Sequence, residues 1–162
     1  MENELPKRKY NRLKDFDYST NGAYFITICT NEHKCVFSKI VGADNIRPSI
    51  IKLTRYGEIV KEAIENISKI YPNCSIDKYI IMPNHVHFIL VISNSDGRII
   101  SAPTVIGQFK RYVSKTIGFS VWQKSFYDHI IRDEKDYLTK VQYIENNPEK
   151  WQEDKYYTEE KE

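Results

Sequence analysis

Two β-rich runs separated by a two-residue turn constrain this chain most. Ile76 to Met82 and His85 to Ile92 flank Pro83-Asn84, a pair of turn formers, and together read as an antiparallel hairpin. The alternating run Ala23-Tyr24-Phe25-Ile26-Thr27-Ile28-Cys29-Thr30, preceded by the turn signal Thr20-Asn21-Gly22, supplies a strand expected at the centre of the sheet, and Phe126 to Ile131 supplies another. Helical spacing marks the segments between. Thr54 caps a helix over Arg55 to Ile70, where Ile59, Ala63, Ile64, Ile67 and Ile70 recur on one side and Tyr71-Pro72-Asn73 ends the run. After a polar connection from Ser93 to Pro103, Ile106, Phe109, Val113 and Ile117 define a second helix. Asp133 or Glu134 opens a third, which Pro148 terminates. Residues 31 to 53, punctuated by Gly42, Asp44, Asn45 and Pro48, read as a hairpin or an extended excursion. The order β, α, β, β, α, β, α predicts a ferredoxin-like α+β sandwich: a four-stranded, mainly antiparallel sheet with helices on one face, plus the C-terminal helix.

At 162 residues the chain is expected to be one domain, with a flexible basic N-terminal arm over about 1–15 and an acidic tail over about 149–162. Apolar residues at 41% and charged residues at 28% exclude disordered and low-complexity classes. No run approaches the roughly 18 to 20 apolar residues of a membrane span, and MENELPKRKY lacks an apolar signal core. A soluble, cytoplasmic protein is the expectation. Cys29, Cys35 and Cys74 form no close motif, which argues for reduced thiols over a disulfide framework. The net charge of +2 is unevenly spread, because residues 149–162 carry six acids against three bases. The remaining body is basic, with clusters at Lys7, Arg8, Lys9, Arg12 and Lys14 and again at Lys110, Arg111, Lys115 and Lys124, among interspersed tyrosines. Such patches suit phosphate backbones, and solvated faces look the same.

His85-Val86-His87 is the sharpest local signal. A strand repeats every two residues, so both imidazoles emerge on one face about 7 Å apart and can converge on one ion, while Val86 points to the other face. On the third helix Tyr137, Leu138, Val141 and Ile144 form the expected core stripe. Asp136, Lys140, Tyr143 and Asn147 share a polar flank, with Tyr143 and Asn147 only about 40° apart at a separation of four. Asn147 precedes Pro148 and is thus an end residue whose side chain is free to project. Two neutral imidazoles, an amide oxygen and waters make a site for a divalent cation, and imidazoles suit zinc or other transition metals equally well. Such an open site can polarise a phosphate while a nearby tyrosine attacks phosphorus, provided that the ion or a neighbouring group such as Lys140 favours the phenolate.

At these residues the sequence resembles the REP-associated tyrosine transposases, a branch of the single-tyrosine HUH transposases. The matching segments are Asp17-Tyr18-Ser19 with Gly22 to Thr30, Met82-Pro83-Asn84-His85-Val86-His87, Gly107-Gln108-Phe109-Lys110, Trp122-Gln123, Phe126 to Arg132, and Tyr143-Ile144 followed by Asn146-Asn147-Pro148. The resemblance implies that His85, His87 and Asn147 bind magnesium or manganese and that Tyr143 is the nucleophile. It implies a transposase that cleaves and rejoins single-stranded DNA near a hairpin through a 5′-phosphotyrosine. Lys7, Arg8, Lys9, Arg12, Lys110, Arg111 and Lys115 are the candidate DNA contacts, and His129 matches a family position suited to a structural or hydrogen-bonding role. His33 has no sequence partner and is placed outside the site. Related enzymes share active-site parts between two subunits, so a homodimer is a further expectation. The alternatives are a non-catalytic nucleic-acid-binding protein derived from such a transposase, and a zinc hydrolase, which would depend on the histidines but not on Tyr143.

Overall fold

A computed structural model describes residues 13–42, 49–95, 97 and 99–159. The elements are β1 (Gly22–Cys29), a 3-10 turn (Asn31–His33), β2 (Ser38–Val41), β3 (Ile50–Leu53), α1 (Arg55–Ile70), β4 (Cys74–Met82), β5 (His85–Ile92), α2 (Ala102–Ile117), β6 (Tyr127–Ile131), α3 (Glu134–Asn146) and a second 3-10 turn (Trp151–Glu153). The main sheet runs β4-β5-β1-β6 with every neighbouring pair antiparallel. Each helical crossover, α1 and then α2, brings the chain back parallel to the strand before it, and an antiparallel strand fills the gap between. This is the α+β sandwich expected from the pattern. Segment 31–53 resolves the open choice in favour of a hairpin, because β2 and β3 pair as a separate two-stranded sheet.

Pleat alternation divides the central strands between two layers. Tyr24, Ile26 and Ile28 of β1 and Val86, Phe88, Leu90 and Ile92 of β5 pack under α1 and α2, where Val60, Ile64, Ile67, Val105, Ile106, Phe109 and Val113 meet them. The opposite face is smaller: Phe25, Ile89 and Ile144 form a second core, flanked by Tyr137 and Val141 of α3. Leu138, expected in that stripe, is instead half-exposed. Tyr137, Val141 and Ile144 already span the narrow contact line at spacings of four and three, and Leu138 lies about 100° of helix rotation from Tyr137, beyond the sheet.

The helix starts hold the frame in place. Thr54 accepts from the Gly57 amide at 3.2 Å and donates to the Val36 carbonyl at 2.6 Å, so one hydroxyl both caps α1 and ties it to the approach to β2. A Cβ on Gly57 would stand 2.0 Å from the Phe37 carbonyl oxygen, so only glycine admits this approach. The Val36 and Phe37 amides in turn donate to Pro83, at the turn of the β4–β5 hairpin. Among the described residues no helix is long and apolar enough to cross a membrane.

Residues 149–159 of the acidic tail pack onto the domain. Trp151 is buried, Asp154, Tyr156 and Thr158 are partly buried, and the segment folds back against the α3 face of the sheet. Its aromatic side chains explain this: Trp151 packs edge-on to Tyr157 and lies beside His85, giving a charged stretch an apolar anchor.

Candidate active site

The hairpin brings His85 and His87 onto the α3 face with ring centroids 4.6 Å apart. Both are fully buried. Each ring is fixed at its Nδ1 atom. The Asn84 Oδ1 atom lies 2.8 Å from His85 Nδ1, and the Thr27 hydroxyl, one strand over and in register with His87, lies 2.8 Å from His87 Nδ1. Asn84 is itself held, since its amide nitrogen donates to the Tyr156 carbonyl at 2.7 Å and the His33 carbonyl at 3.2 Å. That orientation leaves Oδ1 as acceptor, so His85 carries its proton on Nδ1 and its lone pair on Nε2.

Tyr143, from the last turn of α3, stands edge-on to His87 at 5.1 Å and to Phe25 at 5.9 Å. It is 38% exposed, open enough for a substrate to reach. Asn147, just beyond α3, is buried and donates from its amide nitrogen to Asp154 at 3.0 Å. The returning segment completes the wall, with the Tyr156 ring 4.8 Å from His85 and 6.3 Å from His87. His87, Tyr143, Asn147 and Tyr156 border a cleft of about 590 Å³ that also takes in Tyr127, Lys140, Lys150 and Lys155. Lys140 Nζ lies 4.9 Å from the Phe25 ring centroid, and Lys155 Nζ lies 4.9 Å from that of Tyr156.

Burial dominates the electrostatics. Desolvation holds the His85 imidazole at about 4, against the opposing pull of the Asp154 carboxylate and the Asn147 amide. Desolvation and the neighbouring His85 push His87 well below the ordinary histidine value. Both rings are therefore neutral at physiological pH, the state that ligates metals. Burial raises the Tyr143 phenol above its ordinary value and Asp154 adds to this, while the Asn147 amide works against it. A cation beside the hydroxyl would reverse that balance.

The donor set fits a divalent ion. His85 Nε2, His87 Nε2 and Asn147 Oδ1 are buried without a hydrogen-bond partner, an arrangement that costs free energy unless a ligand fills it. Among the described residues no three His, Cys, Asp or Glu side chains converge on one point, so an ion held here would take the Asn147 amide oxygen as its third protein donor. Two nitrogens and one oxygen leave positions for water and a phosphate oxygen, unlike a closed structural zinc site.

No protein-family model matches the chain. An uncharacterized protein of Haemophilus influenzae is 35% identical over an alignment of 173 residues that covers 93% of each chain. A second Haemophilus influenzae protein, named for the REP-associated tyrosine transposases, is 24% identical over 146 residues, 83% of this chain and 74% of its own length. The REP-associated tyrosine transposase of Escherichia coli K12 is 30% identical over 105 residues, 64% of this chain and 61% of its own. A solved structure of a REP-associated tyrosine transposase bound to a REP hairpin shares the fold, with a TM-score of 0.63 at 23% identity over 85% of this chain and 72% of that one. Its homologues include proteins named REP-associated tyrosine transposase, and the chain has the fold of one of that name.

His85, His87, Tyr143 and Asn147 all come together within one chain. Lys140 borders the same cleft. His129 does not: its ring pairs with Asp136 at 2.8 Å and holds the first turn of α3 to β6. Lys110 donates to the Gln123 and Ser125 carbonyls at 2.6 and 3.3 Å, bracing the approach to β6. Arg111 and Lys115 are exposed on α2, across the sheet from the histidines. Lys7, Arg8, Lys9 and Arg12 lie outside the described residues. His33, placed outside the site by sequence, does not line the cleft, and its ring is stacked on Tyr156 at 6.1 Å. Asn84, Thr27, Asp154, Lys155 and Tyr156 escaped the sequence reading. Asn84 carried a signal in Pro83-Asn84-His85, which fits a histidine-orienting side chain as well as a turn. The tail residues carried none, because their role follows from a chain reversal at Pro148.

Proposed function

We propose that this chain is a REP-associated tyrosine transposase that cleaves and rejoins single-stranded hairpin DNA through a covalent 5′-phosphotyrosine on Tyr143, with His85, His87 and Asn147 holding a magnesium or manganese ion. The observation that carries this is that three buried donor atoms, His85 Nε2, His87 Nε2 and Asn147 Oδ1, lack partners near an accessible tyrosine in a lysine-bordered cleft. An ion held there supplies Lewis-acid polarisation of a phosphate oxygen and favours the ionised phenol.

The chain's own groups account for the rest. Tyr143 Oη attacks phosphorus in line with the leaving 3′ oxygen. The Oη–P bond forms as the P–O3′ bond breaks, the phenolic proton leaves to solvent or a nearby base, and the departing 3′ oxygen takes up a proton to become a free hydroxyl. One phosphate ester replaces another, so no nucleotide is consumed, and a 3′ hydroxyl attacking the tyrosyl phosphate returns the diester and the phenol. Lys140 and Lys155 offset the phosphate charge, and Phe25 and His87 fix the tyrosine ring by edge contacts. The REP hairpin bound by the structural relative supports hairpin DNA as the substrate class.

The test mixes wild type and Tyr143→Phe with labelled single-stranded hairpins from the DNA flanking the gene, with Mn²⁺ or with a chelator. A denaturation-resistant adduct that needs Mn²⁺ and vanishes in Tyr143→Phe, while hairpin binding persists, is the expected result. Binding without an adduct across hairpins and both ions would instead mark a non-catalytic binding protein. Cleavage that survives Tyr143→Phe but not loss of a histidine would mark a hydrolase.

A further inference from the structure

An amide presents nearly the same shape whichever way it faces, yet only its oxygen can ligate a cation. At Asn147 this choice decides whether the site has a third protein donor, and the α3 side chain that meets the amide, the Tyr143 phenol, can donate or accept and so does not make it. The buried side chain follows the helix, its amide lies against the Tyr143 phenol and the His85 ring, and its Nδ2 donates to Asp154 Oδ2 at 3.0 Å. We infer that Asp154 is a positioning residue whose carboxylate sets the orientation of the Asn147 amide so that its oxygen faces His85 and His87. This rests on the metal-dependent reading above and adds to it a residue outside the motif.

The chemistry of the partner carries the argument. An ionised carboxylate accepts hydrogen bonds and cannot donate one. A flipped Asn147 would set its oxygen against an Asp154 oxygen at the same distance, two acceptors in a half-buried place, and would turn its N–H groups toward the histidine lone pairs. A hydroxyl or an amide at position 154 could satisfy either orientation and would impose neither. Asp154 is itself fixed on both sides, because its other oxygen accepts from the Tyr156 amide at 2.8 Å. Its backbone is held as well, donating to the Trp151 carbonyl at 3.1 Å and accepting from the Tyr157 amide at 2.9 Å. Trp151 is buried beside His85, so the carboxylate is anchored to the wall that it organises.

The experiment titrates Mn²⁺ into the full-length protein without DNA, following free Mn²⁺ by electron paramagnetic resonance, for wild type, the isosteric Asp154→Asn and, as a second variant, Asp154→Ala. Each variant's thermal midpoint is recorded in parallel. Removing an outer partner that orients a ligand costs about 10- to 100-fold in metal affinity, and a loss of that size in both variants is expected. The Mn²⁺ concentration giving half-maximal covalent adduct should rise by the same factor. Affinities within twofold of wild type would overturn the inference, as would a fall in the thermal midpoint with an unmoved Mn²⁺ titration, which describes a residue that only anchors the tail. Wild type that neither binds Mn²⁺ nor forms the adduct would overturn the metal-dependent reading and this inference with it. Wild type and variants that bind Mn²⁺ alike would overturn the inference alone.

Discussion

Truncating Asn84 is the most informative single perturbation of this structure. The side chain is wholly buried, and its amide serves His85 Nδ1 at 2.8 Å, the Tyr156 carbonyl at 2.7 Å and the His33 carbonyl at 3.2 Å, with the Thr158 hydroxyl a longer contact at 3.4 Å that another partner already satisfies; the first three depend on it most. Asn84→Ala leaves all three without that partner. A net hydrogen bond is worth about 1 kcal/mol, and a buried polar group left unpaired costs about 1–3 kcal/mol. Water entering the vacated space recovers part of this, so the expected loss is about 3–5 kcal/mol. For a chain of this size that corresponds to a thermal midpoint lowered by roughly 10 °C. Asn84→Asp should cost nearly as much despite its matching shape, because it turns an oxygen toward two carbonyl oxygens. Urea unfolding at pH 7 measures both variants. A loss below about 1 kcal/mol for Asn84→Ala, with an unchanged dependence on urea, would refute the claim that this amide joins the histidine hairpin to the returning C-terminal segment.

Two further outcomes follow from the same structure. Because burial keeps His85 at about 4 in the folded chain against about 6.5 unfolded, the unfolded state takes up the proton first, and stability is lost as the pH falls from 6.5 toward 4. His87 shifts in the same direction, so metal-free protein should lose about 2 kcal/mol or more between pH 6.5 and 5 in urea titrations, and a flat profile would count against buried neutral imidazoles. Lys110→Met should lower stability by about 1–2 kcal/mol through loss of its carbonyl contacts and leave the salt dependence of hairpin binding unchanged. A salt slope reduced by about one would instead identify Lys110 as a phosphate contact.

The main sheet was legible because its signals are local. Turn residues set the β4–β5 hairpin, a threonine cap and an isoleucine stripe set α1, and a strand's period of two put His85 and His87 on one face. The four-residue step from Tyr143 to Asn147 placed a phenol and an amide together for the same kind of reason. What local patterns could not show was how far α3 reaches across the sheet, which left Leu138 half-exposed, or where the chain goes after Pro148. Residues 149–159 read as an acidic tail because charge dominates their composition. Trp151 and the Asp154 contact with Asn147 bring them onto the site, and both depend on tertiary contacts that composition does not encode.

Strand β5 lies between β4 and β1, with one face in the main core and the other divided between the candidate site, at His85 and His87, and the second core, at Ile89 and Val91, so it has no idle position. A saturation scan of this strand would carry a two-beat rhythm in which assay and position are matched. At Val86, Phe88 and Leu90, substitutions would register in protein abundance, and apolar neighbours of similar volume would be tolerated. At His85 and His87, abundance would recover with many replacements that relieve the buried, partnerless nitrogens, while DNA processing would accept none of them. Selection for expression and selection for transposition would therefore favour different residues at these two histidines, and a lineage that ceased to transpose would lose them before it lost the core residues between them.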